Sequence, residues 1–150
     1  MYEATIHAAF HIPANQKLQD YKPLSYDTLN TYRMKYRELE WILVDEISMV
    51  SNDLWKYVHL CLQEIKQCKK PFEGVNIIAI GDMYQLQPVK ANYIFMDLWH
   101  NYGPLATNLW CEYITMYELD EIMWQKHDRK FAELLNRFCI GEHTSADLNL

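Results

Sequence analysis

The sequence predicts an α/β fold, a parallel sheet flanked by helices, on three observations. Two short apolar runs, Trp41-Ile42-Leu43-Val44 and Ile77-Ile78-Ala79-Ile80, each end in acid. The first runs into Asp45-Glu46 and the second into Gly81-Asp82, with Gln85 three residues on. Val- and Ile-rich runs bounded by polar residues read as strands buried on both faces of a parallel sheet. Between them Leu54, Val58, Cys61, Leu62, Ile65 and Cys68 recur at helical spacing, so strand and helix alternate. A length of 150 residues accommodates one such domain with a substantial core.

The elements follow in order. Between His11 and Lys22 the chain is polar and irregular, a loop. The first strand is the apolar run before Asp45. A helix is expected from about residue 52 to 69, with Ser51 or Asn52 able to cap its start. Lys69-Lys70-Pro71-Phe72-Glu73-Gly74 ends it and turns into the second strand. A third strand is expected over residues 114–118. Phe131, Leu134, Leu135 and Phe138 then mark one face of a helix starting near Asp128 and ending at Gly141. There is no repeat, low-complexity tract or internal domain boundary.

Parallel sheets place ligands at the carboxyl ends of their strands, where the acids lie. Splitting a phosphoanhydride needs Mg²⁺ held against the phosphates, a positioned water, and a group that orients or deprotonates it. Asp45 suits the metal, through a coordinated water, Glu46 suits the attacking water, and Gln85, both donor and acceptor, suits the γ-phosphate. Asp82 joins the nucleotide-binding candidates. One strand ending in Asp-Glu reads more readily as a solvated terminus than as a site, but two such units, the second with a Gly-Asp-x-x-Gln tail, reverse that preference.

ILVDEISMV (residues 42–50) and IIAIGDMYQLQPV (residues 77–89) resemble motifs II and III of the superfamily-one DNA helicases of the RecD-like, Pif-type group, whose patterns run DEISM and GDxxQLPPV. Thr5-Ile6-His7 resembles that family's TIH segment, residues 27–33 its helix before motif II, and residues 118–141 its motif IV and the following helix. The resemblance covers nearly the whole chain in family order. It implies a partial RecA-like P-loop NTPase domain over residues 1–150, carrying motifs II, III and IV. The activity it implies is that of an ATP-dependent motor moving 5′ to 3′ on single-stranded DNA in replication, repair, recombination or telomere maintenance. ATP and Mg²⁺ are the implied cofactors, and single-stranded and duplex DNA the implied partners. Thr5 and His7 become DNA-side candidates, because the family segment lies on the DNA-facing edge; a buried turn is the alternative.

A phosphate-cradling loop, GxxxxGK[ST], needs glycines for backbone approach and a Lys-Ser/Thr pair. The glycines here are Gly74, Gly81, Gly103 and Gly141, and none precedes a lysine. In the family that loop lies upstream of TIH and a second motor domain follows downstream. These 150 residues are therefore expected to lack the phosphate-loop strand and helix and the second domain, and to be inactive alone. Three departures stand out. Gln87 replaces the first proline of motif III. Trp124, in Glu121-Ile122-Met123-Trp124-Gln125, stands where the pattern EIMRQ places an arginine reaching toward the γ-phosphate. Cys139 replaces the second arginine of LNRLR. They keep open a decayed, non-catalytic copy of a mobile-element helicase; the motor subunit of a helicase-nuclease is the other alternative.

Composition narrows the setting. The formal charge of −6 argues against a small basic nucleic-acid-binding module, though not against a motor domain that touches DNA through a few loops. No stretch reaches the roughly 18 apolar residues of a membrane span and no secretory signal opens the chain. An intracellular protein without membrane or secretory partners is expected, in the nucleus of a eukaryote or its mitochondrion. Cys61, Cys68, Cys111 and Cys139 lack C-x-x-C spacing and read as reduced and mostly buried. His7 and His11, four apart, have no third ligand and read as local structure. Tyr21, Tyr26, Tyr32, Tyr36 and the five Trp could stack on bases, but at helical or strand positions core is the stronger reading.

Overall fold

A computed structural model describes residues 3–15, 17–68, 70–97, 108–119, 129–145 and 147–149. The centre is a β-α-β unit. Strand β1 (Trp41–Val44) runs parallel to β2 (Asn76–Ala79), pairing Trp41 with Asn76 and Val44 with Ala79. Such strands need a long crossover, and here it contains a helix, Asn52–Lys66. Helices α1 (Ile6–Ala9) and α2 (Tyr26–Lys35) precede β1, so the crossover helix is α3. After β2 come α4 (Leu109–Tyr113) and α5 (Arg129–Cys139).

Ser51 makes the cap of α3: its Oγ accepts from the Leu54 N–H at 3.1 Å. Asn52, the other capping candidate, is the first helical residue, and its Nδ2 donates to the carbonyls of Met96 and Asp97 at 3.0 and 3.1 Å. Helix α3 ends at Lys66 rather than 69, because Gln67 turns left-handed (φ 53°) and returns its N–H to the Gln63 carbonyl. Leu54, Val58, Cys61, Leu62 and Ile65 are buried as their spacing predicts. Of these, Leu54, Val58, Cys61 and Leu62 form one core with Val44, Ile47, Trp55, Phe72, Ile94 and Trp110, and Ile42, Ile77 and Ala79 pack on it from the sheet.

Burial of the strands on both faces does not hold among the described residues. Ile42, Val44, Ile77 and Ala79 face the core, but Trp41 (54% exposed), Leu43 (60%), Ile78 (42%) and Ile80 (53%) do not. Side chains alternate across a strand, and the described core packs on one side of the sheet only.

Helix α2 is tied to α3 by polar contacts. The Leu24 N–H donates to Glu64 Oε2 at 3.0 Å, and Arg33 donates to the Glu64 carbonyl at 3.1 Å. Lys66 Nζ donates to the carbonyls of Tyr36, Arg37 and Leu39 at 3.3, 3.1 and 3.1 Å, putting an ammonium against the carboxyl end of α2. This contact fixes the segment that enters β1. Lys66→Met, which keeps the aliphatic stem, is expected to lower unfolding free energy by about 1–3 kcal/mol in urea titration.

The third strand is not formed. Residues 114–118 are irregular, and Met116 and Tyr117 are exposed. The Ile114 N–H is taken by the Trp110 carbonyl as the last bond of α4, and β1 and β2 are the only paired strands among the described residues, so the segment has no ladder to join. Helix α4 itself was not foreseen; Asn108 starts it by accepting from the N–H groups of Trp110 and Cys111. Helix α5 matches expectation at its end, where Gly141 (φ 75°) is followed by Glu142 N–H to Arg137 carbonyl at 2.8 Å. Asp128 lies outside the described residues. Of the predicted apolar face only Leu134 is buried, while Phe131, Leu135 and Phe138 are exposed.

His59 on α3 is buried, and burial, together with the charge of Lys56, pushes its imidazole down to about 4 from 6.5. The unfolded chain therefore takes up this proton before the folded one, and stability falls as pH drops from 6.5 toward about 4. Burial raises the carboxyl of Glu73 and opposes the loss over part of that range. His59→Phe is expected to flatten the decline between pH 6.5 and 4 in thermal melts, whereas an unchanged slope would assign it to other groups.

Candidate functional site

The carboxyl ends of β1 and β2 are clasped together. The Ile80 N–H donates to the Val44 carbonyl at 2.8 Å, and the chain leaving β1 returns the Ile47 N–H to the Ile80 carbonyl at 3.0 Å. Between those bonds lie Asp45 and Glu46, both exposed, while Ile47 and Ser48 behind them are 2% and 1% exposed. The loop is thus anchored in the core and presents two carboxylates at the sheet edge.

Its backbone is unusual at Glu46, which takes a left-handed conformation (φ 52°, ψ 46°). A non-glycine residue held there costs on the order of 1 kcal/mol or more and persists only where its surroundings impose it. The surroundings are visible. Asp45 Oδ1 accepts the Glu46 N–H at 2.9 Å, the Glu46 carbonyl accepts from the Met49 N–H at 3.0 Å, and the Ile47 bond to Ile80 closes the turn. Gly81 makes room for it. A Cβ at Gly81 would stand 2.8 Å from Ile47 N and 3.4 Å from the Glu46 carbonyl carbon, so only glycine fits without a shift.

Asp82 builds the turn after β2. Its Oδ1 accepts the Tyr84 N–H at 2.9 Å and its Oδ2 accepts from Gln85 Nε2 at 3.2 Å, while the Gln85 N–H donates to the Asp82 carbonyl at 3.1 Å. Gln85 is therefore oriented by Asp82, and the clasp brings this turn beside the Asp45-Glu46 loop. Among the described residues no group of three or more His, Cys, Asp or Glu could hold a metal ion. Mg²⁺ at Asp45 fits this donor set, since that ion keeps several waters and takes one or two carboxylates plus phosphate oxygens.

Thr5 and His7 lie on a different element. Thr5 Oγ1 caps α1 by accepting the Ala8 N–H at 3.2 Å, and His7 is half-buried with its carbonyl taken by Ile12. Helix α1 is seated on α2 through Tyr32 and Tyr36, whose hydroxyls donate to the carbonyls of Ala8 and Ala9 at 3.2 and 2.6 Å. Trp124 lies outside the described residues. The cysteines are not mostly buried: Cys61 is, Cys68 is intermediate, and Cys111 and Cys139 are exposed. Cys139 is the last residue of α5 and Cys111 lies on the five-residue α4, and both side chains are left open to solvent. Tyr21 packs on Tyr57 at 4.8 Å between ring centres, and Trp55 and Trp110 are core, which leaves Tyr26 as the freely exposed tyrosine of the four.

A sequence model of the PIF1-like helicase family matches residues 3–147. The chain belongs to that family. It is 31% identical over 112 residues to the ATP-dependent DNA helicase PIF1 of Candida albicans, covering 71% of this chain and 12% of that protein. It is 29% identical over 115 residues to the human ATP-dependent DNA helicase PIF1, covering 73% and 16%. Its fold matches the crystal structure of Pif1 helicase from Candida albicans with a TM-score of 0.71 at 25% identity, over 95% of this chain and 31% of the other. The Bacteroides Pif1 helicase in complex with ADP-AlF3 and ssDNA shares the fold at a TM-score of 0.70 and 22% identity, over 96% and 34%. The fold is therefore that of the RecA-like domain of PIF1-like helicases. The chain spans less than a fifth of the length of those two curated relatives.

Sequence reasoning found the two acidic strand ends. It missed Gly81 as the residue that lets the two ends close on each other, and the left-handed Glu46. The available signal was a glycine directly after an apolar strand run, a position where backbones approach closely.

Proposed function

We propose that these residues form the catalytic-acid portion of an ATP-driven DNA helicase that moves 5′ to 3′ on single-stranded DNA. The observation that carries the reading is the clasp: Asp45 and Glu46 are held at the strand ends in an imposed left-handed turn, beside the turn that orients Gln85. Asp45 would hold Mg²⁺, which would supply neutralisation of charge on the phosphates when bound. Glu46 orients and deprotonates the attacking water. Gln85, positioned by Asp82, hydrogen-bonds the γ-phosphate. The relatives' description as ATP-dependent DNA helicases supports the same reading. Thr5 and His7 are assigned to the DNA side, with the Thr5 hydroxyl also capping α1.

Because residues 1–150 contain no GxxxxGK[ST], they are expected to leave ATP unhydrolysed by themselves. Trp124 and Cys139, where the family pattern has arginines, favour the second reading, a decayed copy that no longer turns over ATP. Strand displacement separates the two. The full-length protein with ATP and Mg²⁺ is expected to unwind a duplex bearing a 5′ single-stranded tail and to leave one bearing a 3′ tail intact. Unwinding from the 3′ tail would overturn the polarity, and unwinding of neither substrate would favour the decayed copy.

A further inference from the structure

Residues 45–52 carry the two acids and then turn into α3, and this one stretch grips the loop that bears Gln85 at both of its ends. At the near end the Ile47 N–H donates to the Ile80 carbonyl at 3.0 Å, where Gly81 meets Ile47. At the far end Ser51 forms an antiparallel bridge with Tyr93. There the Asn52 N–H, one of the helix-start donors that α3 cannot satisfy itself, donates to the Asn92 carbonyl at 3.4 Å. Between the two grips Met83 packs on the core and Pro88 is buried, while Tyr84, Leu86 and Val89 are exposed. A loop that buries so little of itself takes its shape from where its ends are held.

The side chain of Asn52, which is buried, closes the far grip. Its Oδ1 accepts the Asp53 N–H at 2.8 Å, and its Nδ2 donates to the carbonyls of Met96 and Asp97 at 3.0 and 3.1 Å, so each amide hydrogen has an acceptor. The Met96 carbonyl takes a second donor, Asn108 Nδ2 at 2.9 Å, while Asn108 Oδ1 starts α4 by accepting from Trp110 and Cys111. Ile94, 1% exposed and part of the core, lies between Tyr93 and Met96 in the chain. Its packing draws the segment inward, but only the directional bonds fix where along α3 the loop lands. Two asparagines at the starts of two helices thus converge on one carbonyl and hold residues 92–97 against the start of α3.

We propose that Asn52 is a positioning residue for ATP hydrolysis, a role that rests on the assignment of Asp45, Glu46 and Gln85 to ion, water and γ-phosphate made above. By tying residues 92–97 to the stretch that carries both acids, Asn52 holds the Gln85 loop in register with them. Asp82 orients Gln85 inside its own turn, through the 3.2 Å bond to Nε2, and the two grips set where that turn sits. Releasing the far grip frees the loop to shift relative to Asp45 and Glu46. A displacement of about 1 Å in a group that meets the transferred phosphoryl can cost about 10²-fold in rate. Asn52 itself touches neither nucleotide nor water in this role.

The test uses the full-length protein. Asn52→Asp keeps the shape of the side chain and the Oδ1 bond to the Asp53 N–H, adds a charge that suits the first turn of α3, and sets a carboxylate oxygen against the two carbonyls. Asn108→Asp keeps the cap of α4 and removes the other donor to Met96. Both variants are expected to speed hydrogen–deuterium exchange in residues 82–97 about fivefold or more, with residues 54–66 unchanged. Both are also expected to lower kcat for ATP about tenfold while KM changes less than about twofold. A defect of α3 alone would not be shared by Asn108→Asp. In a Gln85→Ala background, Asn52→Asp is expected to lower kcat by less than about twofold further, because the group it positions is already gone. Unchanged exchange in residues 82–97, normal turnover in Asn52→Asp, or a loss that persists in full without Gln85 would overturn the proposal. Absence of turnover in the unmodified protein is instead the failure of the ATPase assignment, and the role of Asn52 falls with it.

Discussion

Replacing Glu46 by glutamine in the full-length protein is expected to lower ATP turnover about 10²-fold or more while ATP binding changes by less than about twofold. Glutamine keeps the length and shape of the side chain, and nothing in the Glu46 backbone bonds depends on its carboxylate. The left-handed turn, its strain and the Ile47 bond to Ile80 are therefore preserved, and only the group that takes the water's proton is lost. Asp45→Asn has a different expected signature, weaker Mg²⁺-dependent binding, because Asp45 is assigned to the ion. Asp45 Oδ1 also accepts the Glu46 N–H, and an asparagine oxygen can still do so. Turnover in Glu46→Gln above half of normal would place the water-orienting group elsewhere.

Gly81→Ala is expected to lower turnover about 10²-fold as well, through position rather than chemistry. The added methyl would stand 2.8 Å from Ile47 N and 3.2 Å from Ile47 Cγ2, both part of a backbone-anchored turn that cannot swing aside as a flexible side chain would. Something must shift, and the nearest movable element is the Asp45-Glu46 loop. The strain is expected to cost about 1–3 kcal/mol of stability. A merely destabilised protein would recover its rate on cooling. A displaced carboxylate would not, so turnover per folded molecule at low temperature separates the two. Full activity in folded Gly81→Ala would show that the close approach at Ile47 does not control the acids.

Much of this arrangement was legible in the sequence for identifiable reasons. Trp41–Val44 and the run at Ile77 are short, apolar and acid-terminated, and each forms a strand of the parallel pair, the second starting one residue early at Asn76. The stripe from Leu54 to Ile65 forms α3 because helical spacing and the Ser51 cap agree. Motif resemblance placed the family, which the match over residues 3–147 bears out. What failed were inferences that depend on distant partners. Residues 114–118 have strand-like composition, but strand formation needs a neighbour, and α4 takes the Ile114 N–H. Apolar residues in β1 and β2 implied two covered faces, yet a sequence run cannot say which neighbour covers which side. The left-handed Glu46 was illegible for a related reason: its conformation is imposed by the Ile80 carbonyl and the empty side of Gly81, thirty-odd residues away in the chain. Thr5 illustrates a subtler limit, since one hydroxyl suits both a DNA contact and a helix cap, and composition does not choose between them.

The central claim, that the clasped acids at the ends of β1 and β2 drive ATP hydrolysis in a DNA motor, is tested most directly by steady-state ATP turnover of the full-length protein with and without single-stranded DNA. The account predicts Mg²⁺-dependent turnover that rises on adding DNA and is abolished by Glu46→Gln. Absence of turnover in full-length protein that still binds DNA, or DNA-stimulated turnover that Glu46→Gln leaves intact, would contradict it.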